Sequence, residues 1–119
     1  VPLADKWVLT DSEVNEVKIA TDAYNNTIVE VAAKYDLAFI DTKKIMTQLS
    51  TSGIRFGNYQ MTAAYATGGA FSLDGVHPSE RGYALIANLF IDGINTKYGS
   101  TLRQVDLAKY QIQYQKALP

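Results

Sequence analysis

The clearest pattern along the chain is an apolar stripe that recurs every three or four residues between Thr10 and Tyr35. Its members are Val14, Val17, Thr21, Tyr24, Ile28, Val31 and Tyr35. This spacing matches one face of an α-helix, which has about 3.6 residues per turn. Thr10 and Glu13 have the spacing of a capping box, in which each side chain satisfies a free backbone N–H at the helix start. We therefore predict a long helix over about residues 11–35.

A short apolar run follows this helix. Residues 37–41 read LAFID, four apolar positions without interruption and then a carboxylate. Such a run is typical of a strand buried on both faces, as in a parallel sheet, and a strand of this kind needs neighbours. We predict a strand over 37–41. Asp41 either caps the following turn at residues 42–44 or lies at the edge of the sheet where a site is expected.

The middle of the chain is weakly patterned. Residues 43–50 are weakly helical, and residues from about 50 to 72 are rich in Gly, Ser, Thr, Asn and Tyr without a sustained period. This composition predicts a long loop, and loops of this length are uncommon unless they are functional. Four of its larger side chains either wall a substrate pocket or belong to an ordinary surface loop. They are Arg55, Phe56, Tyr59 and Tyr65.

A second helix is predicted over about residues 78–98. Pro78 suits the first position of a helix, because that position needs no N–H donor, and Gly99 is a plausible C-cap. One face of this helix is apolar and consists of Tyr83, Ile86, Ala87, Phe90 and Ile94. Ser79 is predicted to satisfy amides at its start. The tail, residues 99–119, fits a strand and a helix equally well, with Tyr110, Tyr114 and Leu118 among its apolar positions.

Composition excludes several classes of function. The 119 residues fit one small domain, and a net charge of -1 without any basic run argues against nucleic acid or an anionic membrane as a partner. The absence of cysteine excludes disulfides and thiolate nucleophiles, and one histidine with scattered carboxylates does not make a zinc site. We predict neither a metal nor an organic cofactor. No apolar run approaches the roughly 20 residues of a membrane span.

The only histidine carries the strongest chemical signal. In the string FSLDGVHPSERGY, residues 71–83, Asp74 stands three positions before His77. Across a turn loosened by Gly75, this carboxylate can accept the Nδ1 proton, fix the ring and leave Nε2 free to act as a general base toward a hydroxyl group. The alternative is that His77 belongs to a helix start and Asp74 to a turn.

The longer string resembles the last sequence block of the SGNH, or GDSL, hydrolases, which are serine esterases and acylhydrolases. That block reads D-x-x-H-P, followed by a glycine, an aromatic residue and a closing helix. It is matched by Asp74, Gly75, His77, Pro78, Gly82 and Tyr83. The family also has a helix with a Y-N pair, a final parallel strand ending in Asp and a variable loop, similar to Tyr24-Asn25, LAFID and residues 42–70. The resemblance implies that Asp74 and His77 are the acid and the base of a Ser-His-Asp triad.

The family's nucleophile block, G-D-S, is not found in this chain. Thr10-Asp11-Ser12 has threonine in place of the glycine and opens the first helix, so Ser12 is predicted to be a helix-start residue. Gly57-Asn58 does not match the family's G-x-N-D block, and a turn is predicted there. The resemblance then implies an α/β fold: the C-terminal part of a three-layer α/β/α domain, helix-rich with few strands. Its serine and oxyanion hole would lie in an absent N-terminal part.

These expectations define the partners. The substrate would be a small-molecule, lipid or carbohydrate ester, and the lone strand at 37–41 would pair with the missing N-terminal half or with a second chain, as in a homo-oligomer. Localisation is left open, although members of the family are often secreted or periplasmic in bacteria. The alternative function is a non-catalytic helical module that binds a partner through its aromatic loop.

Overall fold

The computed structural model describes residues 3–56 and 59–112, and these form a helix-rich mixed α/β structure. Its helices are α1 (Asp11–Lys34), α2 (Thr42–Thr51) and α3 (Glu80–Tyr98), and its strands are β1 (Ile54–Phe56) and β2 (Tyr59–Met61). Two short 3-10 turns lie at Asp5–Trp7 and Leu107–Lys109. The chain divides into two units: unit 1 ends at Phe39, and unit 2 begins at Ile40.

Helix α1 of unit 1 confirms the predicted helix to within one residue. The capping box is formed: the Glu13 backbone N–H donates to Thr10 Oγ1, and the Thr10 N–H donates to Glu13 Oε2 over 2.8 Å. Hydrogen bonds from the Thr10 N–H, and secondly from the Thr10 hydroxyl, lower the pKa of the Glu13 carboxyl group. The predicted apolar stripe is solvent-exposed. Its exposed members include Val14, Val17, Tyr24, Ile28, Val31 and Tyr35.

Residues 37–41 form no strand, so the strand prediction is wrong for the described structure. Helix α1 ends in a Schellman motif: Asp36 has a φ of 53°, and the Leu37 N–H donates to Ala32 O over 2.8 Å. The amide that would start the strand therefore closes the helix instead. A parallel strand also depends on neighbouring strands, and the sheet formed by the described residues consists of β1 and β2 and does not include this run. Asp41 is the N-cap of α2, because its Oδ1 accepts from the Lys44 N–H over 2.9 Å.

Strands β1 and β2 of unit 2 lie inside the region predicted as a loop. They pair antiparallel, with Ile54 opposite Met61 and Phe56 opposite Tyr59, and Met61 is buried in the core of this unit. The loop prediction for about 50–72 is therefore wrong at these positions. Two short runs separated by Gly-Asn are typical of a hairpin, but each run is too short to show a sustained period in the sequence. Residues 57–58, for which a turn was predicted, lie outside the described residues.

Helix α3 begins two residues later than predicted. The N-cap of this helix is Ser79, and Pro78 lies before it. Ser79 Oγ accepts from the Gly82 N–H over 3.0 Å and donates to Gly69 O over 2.6 Å. The capping role of Ser79 is thereby confirmed. Pro78 instead pairs with Phe71 in an isolated antiparallel bridge. At the other end Gly99 adopts the left-handed conformation with a φ of 64°, which confirms the predicted C-cap.

The core of unit 2 lies between α2, β2, α3 and the second 3-10 turn. Its buried members are Leu49, Met61, Ala70, Ala84, Leu85 and Leu107. The segment after α3 runs back along this helix, because the side-chain amide of Asn88 bonds both the N–H and the C=O of Val105, over 2.8 and 2.9 Å. The ambiguous tail is thus a 3-10 turn at Leu107–Lys109, and the predictions for Tyr114 and Leu118 lie outside the described residues.

Candidate active site

The D-x-x-H block lies at the tip of a narrow two-stranded loop. One side of this loop is residues 70–72 and the other is residues 77–79. The Ser79 N–H donates to Ala70 O over 3.0 Å, and the Ser72 N–H donates to His77 O over 2.8 Å. Because Ser79 is also the N-cap of α3, the loop is rooted in the buried start of that helix.

The turn that joins the two sides depends on a glycine and a tyrosine. Gly75 has a φ of 73°, a conformation that a side chain disfavours, and its N–H donates to Ser72 O over 3.0 Å. The Tyr65 hydroxyl donates to Leu73 O over 2.7 Å. The Tyr65 ring lies 3.6 Å from the point where a Cβ on Gly75 would stand. The predicted role of Gly75 in this turn is confirmed, and Tyr65 braces the turn from outside.

The two carboxylate oxygens of Asp74 have different partners. Oδ1 accepts from the backbone N–H groups of Val76 and His77, both over 2.9 Å, and from the Ser72 hydroxyl over 2.7 Å. Oδ2 faces the imidazole of His77, with 2.6 Å between Oδ2 and Nδ1. The Val76 N–H, then the Ser72 hydroxyl and then His77 hold the pKa of Asp74 well below its usual range. Asp74 is therefore an anion throughout the neutral pH range.

The imidazole of His77 is held on one side and open on the other. Since an ionised carboxylate only accepts hydrogen bonds, the contact with Asp74 assigns the proton of neutral His77 to Nδ1 and leaves Nε2 with its lone pair. The side chain is 70% exposed, so a reactant can reach it. His77 lies two residues before the N-cap Ser79, outside the first turn of α3. This arrangement can orient a base and stabilise the charge that it acquires.

The hydroxyl groups of Ser12, Ser72 and Ser79 have hydrogen-bond partners other than His77. Ser12 lies in the first turn of α1, as predicted, with its Oγ 3.1 Å from Thr10 Oγ1. Ser72 is bonded to Asp74, and Ser79 caps α3. Within the described residues, no serine hydroxyl is hydrogen-bonded to His77. The structure brings Asp74 and His77 together, and it brings no nucleophile to them.

Two residues near this block have contacts that the sequence did not predict. Ser72 is one, because its hydroxyl donates to the Asp74 carboxylate two positions later. Arg81 is the other: it is only 7% exposed, its Nε donates to Leu107 O and Tyr110 O, both over 3.1 Å, and its guanidinium lies over the Tyr59 ring. No sequence signal marks Arg81, because its partners are distant along the chain. It fixes the tail of unit 2 to the start of α3.

An apolar cavity of unit 2 lies next to this loop but does not include His77. It has a volume of about 60 Å³ and is lined by residues that include Phe71, Pro78, Leu85 and Leu89. Phe71 and Pro78 are paired across the loop, and successive residues of paired extended segments point to opposite faces. Ser72 and His77 are absent from the lining for this reason. The cavity belongs to the packing of α2 against α3.

The described part of the chain contains neither a cluster of metal-binding side chains nor a membrane-spanning helix. In residues 3–56 and 59–112, no group of three or more His, Asp or Glu side chains is placed to hold a metal ion. None of the helices there has both the length and the apolar character needed to cross a bilayer. Neither protein-family models, nor curated proteins, nor solved structures gave a match to this chain.

Proposed function

We propose that this chain supplies the acid and the base of a serine ester hydrolase of the SGNH type. The observation that carries this proposal is the 2.6 Å contact between His77 Nδ1 and Asp74 Oδ2, within the string D-G-V-H-P. The chain would be the C-terminal part of a three-layer α/β/α domain. The nucleophilic serine and the oxyanion donors would come from an N-terminal part.

The proposed reaction assigns one task to each side chain. A serine from the N-terminal part attacks the ester carbonyl, and His77 Nε2 accepts the serine proton as the C–O bond forms. Asp74 stabilises the resulting imidazolium through Nδ1. His77 then gives the proton to the leaving alcohol, and water attacks the acyl-enzyme in a second, equivalent cycle. Oxyanion donors of the N-terminal part stabilise the tetrahedral charge in both steps.

Three features of the described residues support this proposal. The acid–base pair is already assembled without a substrate or a nucleophile, and His77 is open to solvent on its Nε2 side. The apolar stripe of α1 is exposed, as expected of a helix that packs against a sheet in a larger domain. Residues 37–41 form an apolar run that is not part of the sheet in the described part of the chain.

The first experiment extends the reading frame upstream and assays the longer protein with a nitrophenyl ester. We expect an apolar strand followed by G-D-S, and hydrolysis that falls by about a thousandfold or more in His77→Ala, as loss of a triad base does. Ser50→Ala is the matched control, because Ser50 lies exposed on α2 and bonds to Thr47 O of its own helix.

Two outcomes would contradict the proposal. One is unchanged turnover in His77→Ala, which would remove His77 from the mechanism. The other is a longer sequence without any serine block, with no ester hydrolysis by the wild-type protein. In that case the exposed apolar stripe of α1 would favour the non-catalytic binding module instead.

A further inference from the structure

We propose that Ser72 is a positioning residue, whose hydroxyl holds the Asp74 carboxylate in the rotation that presents its second oxygen to His77 Nδ1. The family motif assigns no role to this position. The inference deepens the proposed function and rests on it only in the claim that His77 acts as a base. The orientation itself is a property of this chain and is testable without any substrate.

Ser72 reaches the pair through two separate bonds. Its backbone N–H donates to His77 O over 2.8 Å, and its hydroxyl donates to Asp74 Oδ1 over 2.7 Å. The first bond fixes the separation of the two sides of the loop, and the second uses that separation to reach the carboxylate. The hydroxyl comes from the opposite side of the loop to the Val76 and His77 amides that also bind Oδ1.

A carboxylate needs this support because its terminal torsion is soft. The χ2 angle of aspartate has a broad distribution, unlike the staggered torsions between tetrahedral carbons. Rotation about that bond would move Oδ2 away from Nδ1 without breaking the backbone turn. Three donors on Oδ1, one of them from the opposite side of the loop, oppose this rotation. Charge-assisted hydrogen bonds of this type are stronger than neutral ones.

Solvent exposure makes the Ser72 contact matter more. The side chains of Asp74 and His77 are 50% and 70% exposed, so water competes for both carboxylate oxygens. A buried pair is held by its surroundings, whereas this pair is held by the bonds of its own loop. The Ser72 hydroxyl is also the second of the contacts that hold the pKa of Asp74 below its usual range, after the Val76 N–H. Geometry and charge thus support the same assignment.

The test uses the position of the imidazole proton. His77 is the only histidine, so the nitrogen NMR spectrum of its ring reports one site without overlap. At about pH 9, where an ordinary imidazole is neutral, we expect wild type to be mainly in the Nδ1–H tautomer. Ser72→Ala is expected to lower the ratio of the Nδ1–H to the Nε2–H tautomer at least twofold.

Matched variants separate the hydroxyl from the shape of the side chain. Ser72→Thr keeps a hydroxyl and is expected to retain the wild-type ratio, whereas Ser72→Val has a similar size without one and is expected to behave like Ser72→Ala. This pair also serves if the alanine variant fails to fold. Ser50→Ala, on α2, controls for the loss of an exposed hydroxyl elsewhere. A wild-type tautomer ratio in folded Ser72→Val would overturn the proposal.

The kinetics of ester hydrolysis by the longer protein provide a second test of the role of Ser72. Ser72→Val is expected to lower kcat about tenfold with little change in KM, because the residue acts through Asp74 and not on the substrate. A tautomer shift in a protein that never hydrolyses esters would refute the proposed function and leave the positioning role intact. Active wild-type enzyme with an unchanged tautomer ratio and unchanged kcat in Ser72→Val would refute the positioning role alone.

Discussion

Single residues of the D-x-x-H block show how a short stretch of chain can assemble an acid–base pair. Asp74 accepts four hydrogen bonds, and all of its donors lie between Ser72 and His77. The turn is closed by Gly75, whose left-handed φ brings the following amides toward the carboxylate. Because these contacts are local, the pair needs no distant element to form. It does depend on the charge of Asp74.

Stability should therefore depend on pH through Asp74. Its pKa lies below the ordinary value of 3.8, so its contribution is complete above that pH and is lost as the pH falls through the lower, folded-state value. We expect wild type to lose its advantage in unfolding free energy over Asp74→Asn when the pH is lowered from 5 toward 2. Urea denaturation followed by circular dichroism measures the difference.

Glu13→Gln is the matched control for this experiment, because Glu13 is another carboxyl with a lowered pKa but belongs to the capping box of α1. Its effect on α1 should be independent of Asp74. A difference between wild type and Asp74→Asn that stays constant from pH 5 to pH 2 would refute the role of the Asp74 charge.

Gly82 provides a second prediction at this scale. Replacing a helical glycine with alanine ordinarily stabilises a helix by about 0.5–1 kcal/mol. A Cβ on Gly82 would clash with Ala70 O, which is backbone and cannot rotate away. We expect Gly82→Ala to lower the unfolding free energy by about 1–3 kcal/mol through overpacking.

Gly93→Ala in the same helix is the comparison. There the added Cβ meets only the Ile40 side chain, at 2.9 Å, which can adjust. Its effect should stay within about 1 kcal/mol in either direction. Equal effects of the two substitutions in urea denaturation would show that the start of α3 is not pressed against residue 70.

At the scale of elements, the ends of the helices are where local chemistry acts. Thr10, Asp41 and Ser79 each cap the helix that follows them, and Gly99 ends α3. The sides of the helices depend on tertiary partners. Helix α3 shows this, because two asparagines on its side hold the returning segment: Asn88 binds Val105, and Asn95 binds Leu102 through the same pair of backbone groups.

The two asparagines should differ in their effect on stability. Asn88 is buried and bonds both backbone groups of Val105, so Asn88→Ala leaves two half-buried backbone groups without partners. We expect a loss of about 2 kcal/mol in unfolding free energy. Asn95→Ala removes the corresponding bonds to Leu102, and one from the Ser100 hydroxyl, at a more exposed site where water can replace them, and should cost about 1 kcal/mol or less. Urea denaturation of both variants checks the difference, and a smaller loss for Asn88→Ala would contradict it.

At the scale of the whole molecule, the main feature to explain is the apolar surface that unit 1 exposes to solvent. Val17 and Ile28 on α1 are 60% and 54% exposed, and Trp7 is 71% exposed. Water-exposed apolar stripes of this extent mark surfaces that bind other protein. Our proposal of a missing N-terminal half, or of a second chain, gives this surface an occupant.

We therefore expect the isolated chain to associate with itself in a concentration-dependent manner. Val17→Asp with Ile28→Asp should reduce the association, because the substitutions place charges on the apolar stripe. Asn15→Asp with Asn26→Asp adds the same charges to other faces of α1 and should leave association unchanged. Size-exclusion chromatography with light scattering measures the mass. A well-folded wild-type monomer at every concentration would refute this expectation.

What the amino-acid order determined by itself is the set of local features. The 3.6-residue period located α1 and α3, the small polar residues at their starts located the caps, and the spacing of Asp74 and His77 indicated their contact. Each of these depends on residues within a few positions of one another, so their partners are written beside them in the sequence.

Tertiary structure decided the features whose partners are distant or were concealed. An apolar run is not a strand without neighbours, so in residues 37–41 the Leu37 amide closes α1 and Asp41 caps α2. The paired strands are found where no period was visible. Arg81 holds Leu107 and Tyr110, contacts that no local pattern predicts. The physical reason is that strand pairing and burial are stabilised by contacts with residues that the fold brings close together. The spacing of residues along the chain does not specify those contacts.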